Sequence, residues 1–226
     1  FNKISNFELS RSFVDEQDWS IFTKQSNEFN SLGYYLNHHP MRFYSSIKNK
    51  LNIISSSEVM ESLRINSGKI IRVSGVITKF VKKRSPRGIW ASIELSDMKG
   101  TIEITYYSNS LTKLEEVYEK DKIFVIDLEV KFDRNFGYRL IEKRSQFLSD
   151  LISLNNFDIE LEVDRRSLPD IKEKVLNLRD GKSNIFLKIK KDNENILLNI
   201  NKNIFLDSEI LDQLFKIKGI SRIEFT

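Results

Sequence analysis

Apolar and polar residues alternate with a period of two through the middle of the chain. In the stretch IWASIELS, residues 89 to 96, every second residue from Ala91 to Leu95 is apolar, and TIEITYY, residues 101 to 107, repeats the pattern. A period of two is typical of a strand with one face on a core and the other in solvent. The intervening residues DMKG, with a glycine at the end, favour a turn, so the two segments are predicted to form a hairpin.

The same reasoning predicts five strands and a helix between residues 69 and 148. The predicted strands cover 70–80, 89–96, 101–107, 122–132 and 138–147, and the predicted helix covers 111–119. Three strands, a helix and two strands form the element order of an OB-fold, a small five-stranded barrel. Gly75, inside the first strand, is predicted to mark a bulge or bend that closes the barrel.

A second pattern follows a predicted connector at residues 149–156. Strands are predicted at 157–163, 184–190, 195–201 and 221–225, with helices at 168–178 and from Asp207, as its cap, to Lys216; Asp180-Gly181 is predicted to be a break. The order βαββαβ indicates a compact α+β domain of the ferredoxin-like kind. We expect residues 157–226 to have a core of their own.

The first 68 residues are predicted to be a linker and a helical segment. Residues 1–30 show no clear period overall. From Ser26 a helix is predicted, with Phe29, Leu32 and Leu36 on one face, and it ends before His39-Pro40. A short helix is predicted around residues 41–50, and another at 58–63 with Ser57 as its N-cap. The expected architecture is therefore a helical segment (1–68), an OB-fold barrel (69–148) and a βαββαβ domain (157–226).

Composition excludes several classes of protein. The chain has no cysteine, which excludes disulfides and thiolate metal sites and favours a reducing compartment such as the bacterial cytoplasm. It has no apolar run near 18 residues and no secretory signal, so we expect no membrane partner. Since it begins at Phe1 rather than Met, we expect it to start within a longer protein.

Catalytic motifs are missing from the sequence. The two histidines, His38 and His39, are adjacent, and neighbouring side chains diverge too much to share a metal ion. We find no phosphate-binding loop, dinucleotide fingerprint or nucleophile elbow. We therefore expect no active site, metal or cofactor in these 226 residues.

Cations and aromatic rings on the predicted barrel point to a different kind of site. The net charge of +4 is mild, but the stretch KFVKKRSPRG, residues 79 to 88, contains no acidic residue. A groove for single-stranded nucleic acid needs cations along the phosphates and rings on which bases stack. In an OB-fold the first loop, strands two and three, and the fourth loop converge on one surface. The candidate residues on these elements are Lys79, Lys82, Lys83, Arg84, Arg87, Trp90, Tyr107, Arg134, Phe136 and Tyr138.

Other interpretations of these residues remain open. The basic stretch can be a solvated hairpin whose neighbouring rings merely cover the rim of the barrel. An OB domain can also bind tRNA anticodons in an aminoacyl-tRNA synthetase, or bind only protein, because a fold does not determine a function. Residues 157–226 are too few for the catalytic domain that a synthetase would need.

Three motifs resemble the alpha subunit of bacterial DNA polymerase III, a C-family replicative polymerase. EFNSLGYYLNHHP, residues 28 to 40, is similar to that family's E-x-x-x-L-G-x-Y-L-x-x-H-P element, although His38 stands where the family usually has glycine. The hairpin LSDMKGTIE, residues 95 to 103, with the basic stretch before it, resembles the family's OB core. KDKIFVIDLEVKF, residues 120 to 132, resembles its fourth strand.

The resemblance implies a C-terminal region of the polymerase without the catalytic palm. It implies that the barrel holds single-stranded template DNA and that residues 157–226 bind the tau subunit of the clamp loader. It also implies a peptide for the sliding clamp that would end near Phe1. In the full-length polymerase it implies nucleotidyl transfer with Mg²⁺, whereas we expect no polymerase activity from this region alone.

Overall fold

The computed structural model describes residues 21–37, 39–86, 88–118, 122–191, 194–217 and 219–226. The predicted linker up to residue 20, the predicted clamp peptide at Phe1, and the side chains of His38 and Arg87 lie outside this part of the chain. No helix of the described residues is both long and apolar enough to cross a membrane.

The first helix differs from its prediction at both ends. Helix α1 spans Ile21–Leu32, and Gly33, at φ +79°, donates its N–H to the Phe29 carbonyl and ends it. A glycine in the left-handed region commonly ends a helix in this way. The predicted apolar face was wrong, since Leu32 and Leu36 are exposed. The spacing of apolar residues continues beyond Gly33, but the helix ends before that glycine.

Two short elements and a capped helix connect α1 to the barrel. A 3₁₀ turn spans Pro40–Tyr44, helix α2 spans Ile47–Lys50, and helix α3 spans Ser56–Ser62. The N-cap of α3 is Ser55, so the prediction of Ser57 was wrong. Ser55 accepts the N–H of Glu58, and the Glu58 carboxylate accepts the N–H of Ser55, which completes a capping box.

The predicted five-stranded barrel is confirmed. Its strands pair in the closed order β1-β2-β3-β5-β4, and β3 and β5 run parallel. The elements are β1 (Ile70–Ser85), β2 (Gly88–Asp97), β3 (Gly100–Tyr107), α4 (Ser108–Val117), β4 (Ile123–Asp133) and β5 (Gly137–Phe147). The alternating residues Ala91, Ile93 and Leu95 are buried inside the barrel, as their period predicted.

Gly75 does not form the predicted bulge. The register of β1 shifts between Ile77 and Lys79, two residues further along. A Cβ at position 75 would lie 2.2 Å from the Ser96 carbonyl oxygen. Glycine is therefore required because two backbones approach closely just before Val76, where β1 changes its partner from β4 to β2.

The last part of the chain has the predicted βαββαβ order. Its elements are β6 (Ile159–Val163), α6 (Leu168–Leu176), β7 (Asp180–Lys191), β8 (Glu194–Ile204), α7 (Ser208–Phe215) and β9 (Ile220–Phe225). The predicted cap is confirmed, since the Asp207 side chain accepts the N–H of Ile210. The predicted break at Asp180-Gly181 was wrong, because these residues begin β7.

The sheet order corrects the ferredoxin-like prediction. The strands lie in the order β8-β7-β6-β9, with β6 and β7 as direct parallel neighbours. A ferredoxin-like sheet is a split βαβ arrangement, in which another strand separates the two that a helix connects. The order of elements along the chain was right, but it did not determine which strands are neighbours.

The predicted connector at 149–156 is largely a helix, α5, which spans Leu148–Asn155. Its residues Leu148, Leu151 and Ile152 are buried in the same apolar cluster as β6, β7 and β9. Ile47, the first residue of α2, and Leu51, which follows the helix, join that cluster, and the Ser46 hydroxyl accepts the N–H of Phe225. The core of the last domain thus extends to the segment that precedes the barrel.

Candidate nucleic-acid interface

The basic stretch lies on strands rather than in a loop. Strands β1 and β2 form a long hairpin that pairs as far as Ser85 and Gly88. Successive side chains on a strand point to opposite faces, so the cations of β1 divide between two surfaces. This division is the main difference from the predicted single surface.

One face carries a row of three candidate residues. Lys83 pairs with Trp90 across the hairpin, and Trp90 pairs with Tyr107 on β3. Direct partners in antiparallel strands project to the same side, about 5 Å apart. The Lys83 Nζ lies 4.8 Å from the centroid of the Trp90 ring, a cation–π distance, and Tyr107 is 43% exposed. We call Lys83, Trp90 and Tyr107 the aromatic row.

The other face of the hairpin turns towards α4. Lys82 forms an ion pair with Glu115 of that helix. A groove of about 500 Å³ separates the hairpin from α4, and we call it the hairpin groove. Its lining residues are Lys82, Lys83, Arg84, Ile89, Ser108, Asn109, Leu111, Thr112 and Glu115.

Acidic residues occupy the middle of the β2–β3 face. Lys79 is opposite Glu94, and Glu94 is directly opposite Glu103. Glu94 accepts a hydrogen bond from Thr78 at 2.6 Å, and Glu103 accepts one from Ser92 at 2.5 Å. Lys79 is thereby beside an acidic pair rather than in the aromatic row.

The remaining candidates lie together at the β4–β5 turn. Arg134, Phe136 and Tyr138 are exposed there, and Asp133 shapes the turn by accepting the N–H of Phe136. Sequence reasoning missed two neighbours: the Arg139 guanidinium carbon lies 4.2 Å from the Phe136 ring centroid, and Phe132 packs at 5.1 Å against Tyr138. The pairing of Phe132 with Tyr138 across β4 and β5 could have been expected from the short turn between them.

The turn and the aromatic row lie at different ends of the barrel. Ile104 of β3 is level with Leu140 of β5 in a parallel pair. Phe136 precedes Leu140 by four residues and Tyr107 follows Ile104 by three, so at ~3.3 Å per residue the two are roughly 20 Å apart along the strands. The structure thus separates the candidates at the β4–β5 turn from those on the β1–β2 hairpin and its neighbour β3, and Lys79 lies apart beside the acidic pair.

A buried polar cluster holds the barrel against the helical segment. His39 accepts the N–H of Met41 at Nδ1, so its Nε2–H donates to the Ser96 hydroxyl at 3.2 Å. Burial lowers the pKa of His39 to about 4, and the nearby Asp97 carboxylate offsets only part of that effect. This cluster stabilises the β2–β3 turn.

The Asp97 carboxylate anchors the same turn to α3. Burial alone would raise its pKa, but hydrogen bonds from Ser56 and Lys99 and the charge of Lys48 outweigh burial and lower it. Asp97 accepts the Ser56 N–H at 2.9 Å and the Lys99 N–H at 2.7 Å. The carboxylate therefore has a structural role.

Positive charge is concentrated in the barrel. Residues 69–148 contain 16 Lys and Arg and 11 Asp and Glu, a net charge of +5, whereas the whole chain carries +4. A basic surface attracts the phosphate backbone of nucleic acids. Among the described residues, no group of three or more His, Cys, Asp or Glu could hold a metal ion.

The closed barrel, with a helix between its third and fourth strands, defines an OB-fold protein. Solved structures that resemble it include the mitochondrial single-stranded DNA binding protein Rim1 of S. cerevisiae, at 13% identity and a TM-score of 0.32 over 36% of this chain and 95% of that one. Another is the second OB-fold domain of replication protein A from Methanococcus maripaludis, at 14% identity and a TM-score of 0.29, covering 36% and 86%.

Proteins related in sequence indicate a narrower class of protein than the fold does. The chain is 24% identical over 163 residues to the DNA polymerase III subunit alpha of Rickettsia bellii, which covers 71% of this chain and 14% of that protein. It is 27% identical over 130 residues to the subunit of Escherichia coli K12, covering 56% and 11%. No protein-family model matches. The chain is distantly homologous to DNA polymerase III alpha subunits and aligns with a C-terminal part of them.

Proposed function

We propose that the barrel binds single-stranded DNA within a replicative polymerase subunit. The observation that carries the proposal is the aromatic row, in which one cation and two partly exposed rings lie side by side across three strands. Rings offer stacking surfaces only to unpaired bases, and the cation neutralises a phosphate. The excess positive charge of the barrel and the homology to polymerase subunits support the same function.

The aligned segments make up only 11–14% of these polymerase subunits. Catalysis is therefore proposed only for a complete subunit that carries this region. There we propose template-directed DNA synthesis with Mg²⁺ in the bacterial cytoplasm. We expect the 226 residues by themselves to hold DNA without extending a primer.

The test of DNA binding separates stacking from charge. Trp90→Ala should weaken binding of a labelled oligothymidylate by roughly 1–3 kcal/mol, with little change in the salt dependence, because it removes a stacking surface and no cation. Lys83→Ala should reduce the slope of log K against log salt by about one, because one phosphate contact is lost. Both are measured by fluorescence anisotropy at several salt concentrations.

Trp90→Phe is the matched control, since it keeps a ring and should retain most of the affinity. Circular dichroism checks that each variant is folded. Equal affinity of the unaltered chain for duplex and single-stranded DNA would contradict the proposal, and would favour an interface that contacts only protein.

For the last domain we propose binding of the tau subunit of the clamp loader, as the family resemblance implies. The supporting observation is the edge strand β8, which exposes Ile196, Leu197 and Leu198. An uncharged stretch of an edge strand is open to pairing with an extended segment of a partner. Residues 195–201, NILLNIN, contain no charge.

Leu197→Lys tests the tau proposal. Leu197 is 52% exposed and lies opposite Lys188, so the added charge should block the edge and leave the core intact. We expect loss of tau binding in a pull-down or by calorimetry with the purified subunit. The matched control is Leu176→Lys, at a leucine that is 45% exposed and belongs to helix α6 rather than to the edge strand. Equal binding by both variants would contradict the assignment to β8.

A further inference from the structure

The hairpin groove has the charge and the apolar surface to hold part of a nucleotide. Lys82 and Arg84 line it from β1, and Ser108 and Asn109 line it from the start of α4. Ile89, which is 45% exposed, adds an apolar wall. The groove begins beside the aromatic row, because Lys83 lines the groove and also covers Trp90.

The path that leads from the aromatic row away from the hairpin groove is unfavourable for a polyanion. A strand that ran along β2 and β3 towards the β4–β5 turn would pass the directly paired carboxylates of Glu94 and Glu103. Negative charges repel a phosphate at short range, and the two carboxylates outnumber Lys79, the cation opposite Glu94 on β1. The barrel therefore offers a positive route on one side of the row and a negative one on the other.

We propose that a DNA strand with bases on the aromatic row turns over the β1–β2 hairpin and places a backbone phosphate in the hairpin groove. The proposal rests on the proposed binding of single-stranded DNA and names the path of that strand. Lys82 and Arg84 bind the phosphate, and Ile89 contacts the adjoining sugar or base. The cluster at the β4–β5 turn lies off this path.

Glu115 sets the affinity of the groove in this arrangement. Its carboxylate pairs with Lys82, so it competes with a phosphate for that cation and also repels the phosphate. Neutralising Glu115 should free Lys82 for the DNA. The path therefore predicts a substitution that strengthens binding, which a merely structural salt bridge would not.

The experiment compares Glu115→Gln with Glu116→Gln in the full chain, using labelled oligothymidylate. Both substitutions raise the net charge by one on the same exposed turn of α4, but only Glu115 lines the groove. We expect Glu115→Gln to bind about five-fold more tightly, the order for removing one like charge about 4 Å away in water. Its salt slope should steepen by up to about one, because Lys82 then binds the phosphate without sharing its charge with Glu115. Glu116→Gln should change affinity by less than about two-fold.

Three further variants test the path without altering the Lys82 pair. Thr112→Glu places a negative charge on the groove wall and should weaken binding by about five-fold, whereas Lys113→Gln, with the same change of net charge outside the groove lining, should have a smaller effect. The double change Glu94→Gln with Glu103→Gln should leave affinity within about two-fold, since the strand avoids that face.

The outcomes separate this inference from the proposed function. Equal effects of the two glutamate variants on α4, or much tighter binding when Glu94 and Glu103 are neutralised, would overturn the path even if Trp90→Ala still weakened binding. In that case single-stranded DNA binding stands and follows another route. Absence of any binding by the unaltered chain would overturn both.

Discussion

His39 is a buried neutral imidazole at the contact between the helical segment and the barrel. It is 8% exposed, and both of its ring nitrogens have hydrogen-bond partners. Its neutral form fits this site, because Nδ1 must remain unprotonated to accept the N–H of Met41. Protonation would place a charge among buried groups, so the stability of the contact depends on pH.

The free energy of unfolding should fall as the pH is lowered from 7 to 5. The pKa of His39 is about 4 in the folded chain against an ordinary 6.5, so the unfolded chain takes up the proton first. The contribution of His39 to the free energy of unfolding is complete above pH 6.5 and is lost as the pH falls to about 4. Between pH 6.5 and 5 the loss is about 2 kcal/mol, at ~1.4 kcal/mol per pH unit.

Denaturant unfolding of His39→Gln at several pH values checks this expectation. Lysine and arginine do not titrate in this range, and the lowered pKa of Asp97 confines its own effect to lower pH. The variant should lose the pH dependence, while His38→Gln, the same change at the only other histidine, should keep it. A pH dependence that persists unchanged in His39→Gln would show that another group is responsible.

Gly75 is the second single residue on which the barrel depends. Gly75→Ala should destabilise the chain by about 1–3 kcal/mol, because the new Cβ would meet the Ser96 carbonyl oxygen and neither backbone can move freely. Thermal unfolding measures the effect. Gly137→Ala is the control: its φ of +73° costs about 1–2 kcal/mol, but no atom lies within 4 Å of the new Cβ. A stable Gly75→Ala barrel would contradict the close approach.

Among the elements, α3 shows how a short helix is placed by its cap. Seven residues are too few for a stable isolated helix, so the capping box and the contact of Ser56 with Asp97 hold α3 beside the β2–β3 turn. Ser55 satisfies backbone donors at the first turn, whereas Ser57 lies within the helix.

Ser55→Ala should cost about 0.5–2 kcal/mol of stability, and Ser57→Ala less than about 0.5 kcal/mol. The two substitutions remove the same hydroxyl two positions apart, which makes them a matched pair. Chemical denaturation of both variants gives the comparison. If Ser57→Ala proves the more costly, the cap lies where the sequence first indicated.

At the scale of the whole molecule, the helical segment and the last domain share one core. Ile47 and Leu51 pack in the cluster that contains α5, β6 and β9, and Phe43 contacts Phe215 with ring centroids 4.5 Å apart. A fragment limited to residues 157–226 would lack α5 and these side chains. The barrel is therefore inserted between two parts of a common apolar cluster.

Ile47→Ala should destabilise the last domain by about 2–5 kcal/mol, because it removes a fully buried side chain. Hydrogen exchange should report a larger loss of protection in β6 and β9 than in β2 and β3. Ile65→Ala, at an isoleucine that is 71% exposed, should change stability by less than about 0.5 kcal/mol. A loss confined to the barrel strands would contradict the shared core.

Local patterns in the sequence determined the elements of the two sheets. The alternation in β2 and β3 depends only on neighbouring residues, as does the cap at Asp207, and the structure confirms both. The aromatic row also follows from the sequence in part, since a four-residue turn between β2 and β3 makes Trp90 and Tyr107 partners. Each of these features involves residues close together along the chain.

Contacts between distant residues were decided only by the tertiary structure. No local pattern distinguishes adjacent β6 and β7 from a split arrangement, because lateral strand order depends on packing of the whole sheet. The basic stretch gave no sign that β1 would stay paired to Ser85, and this pairing sends Lys82 towards Glu115 and Lys83 towards Trp90. The sequence shows which segment carries the cations. The alternation of side chains along the strand and the position of α4 determine the surface on which each cation lies.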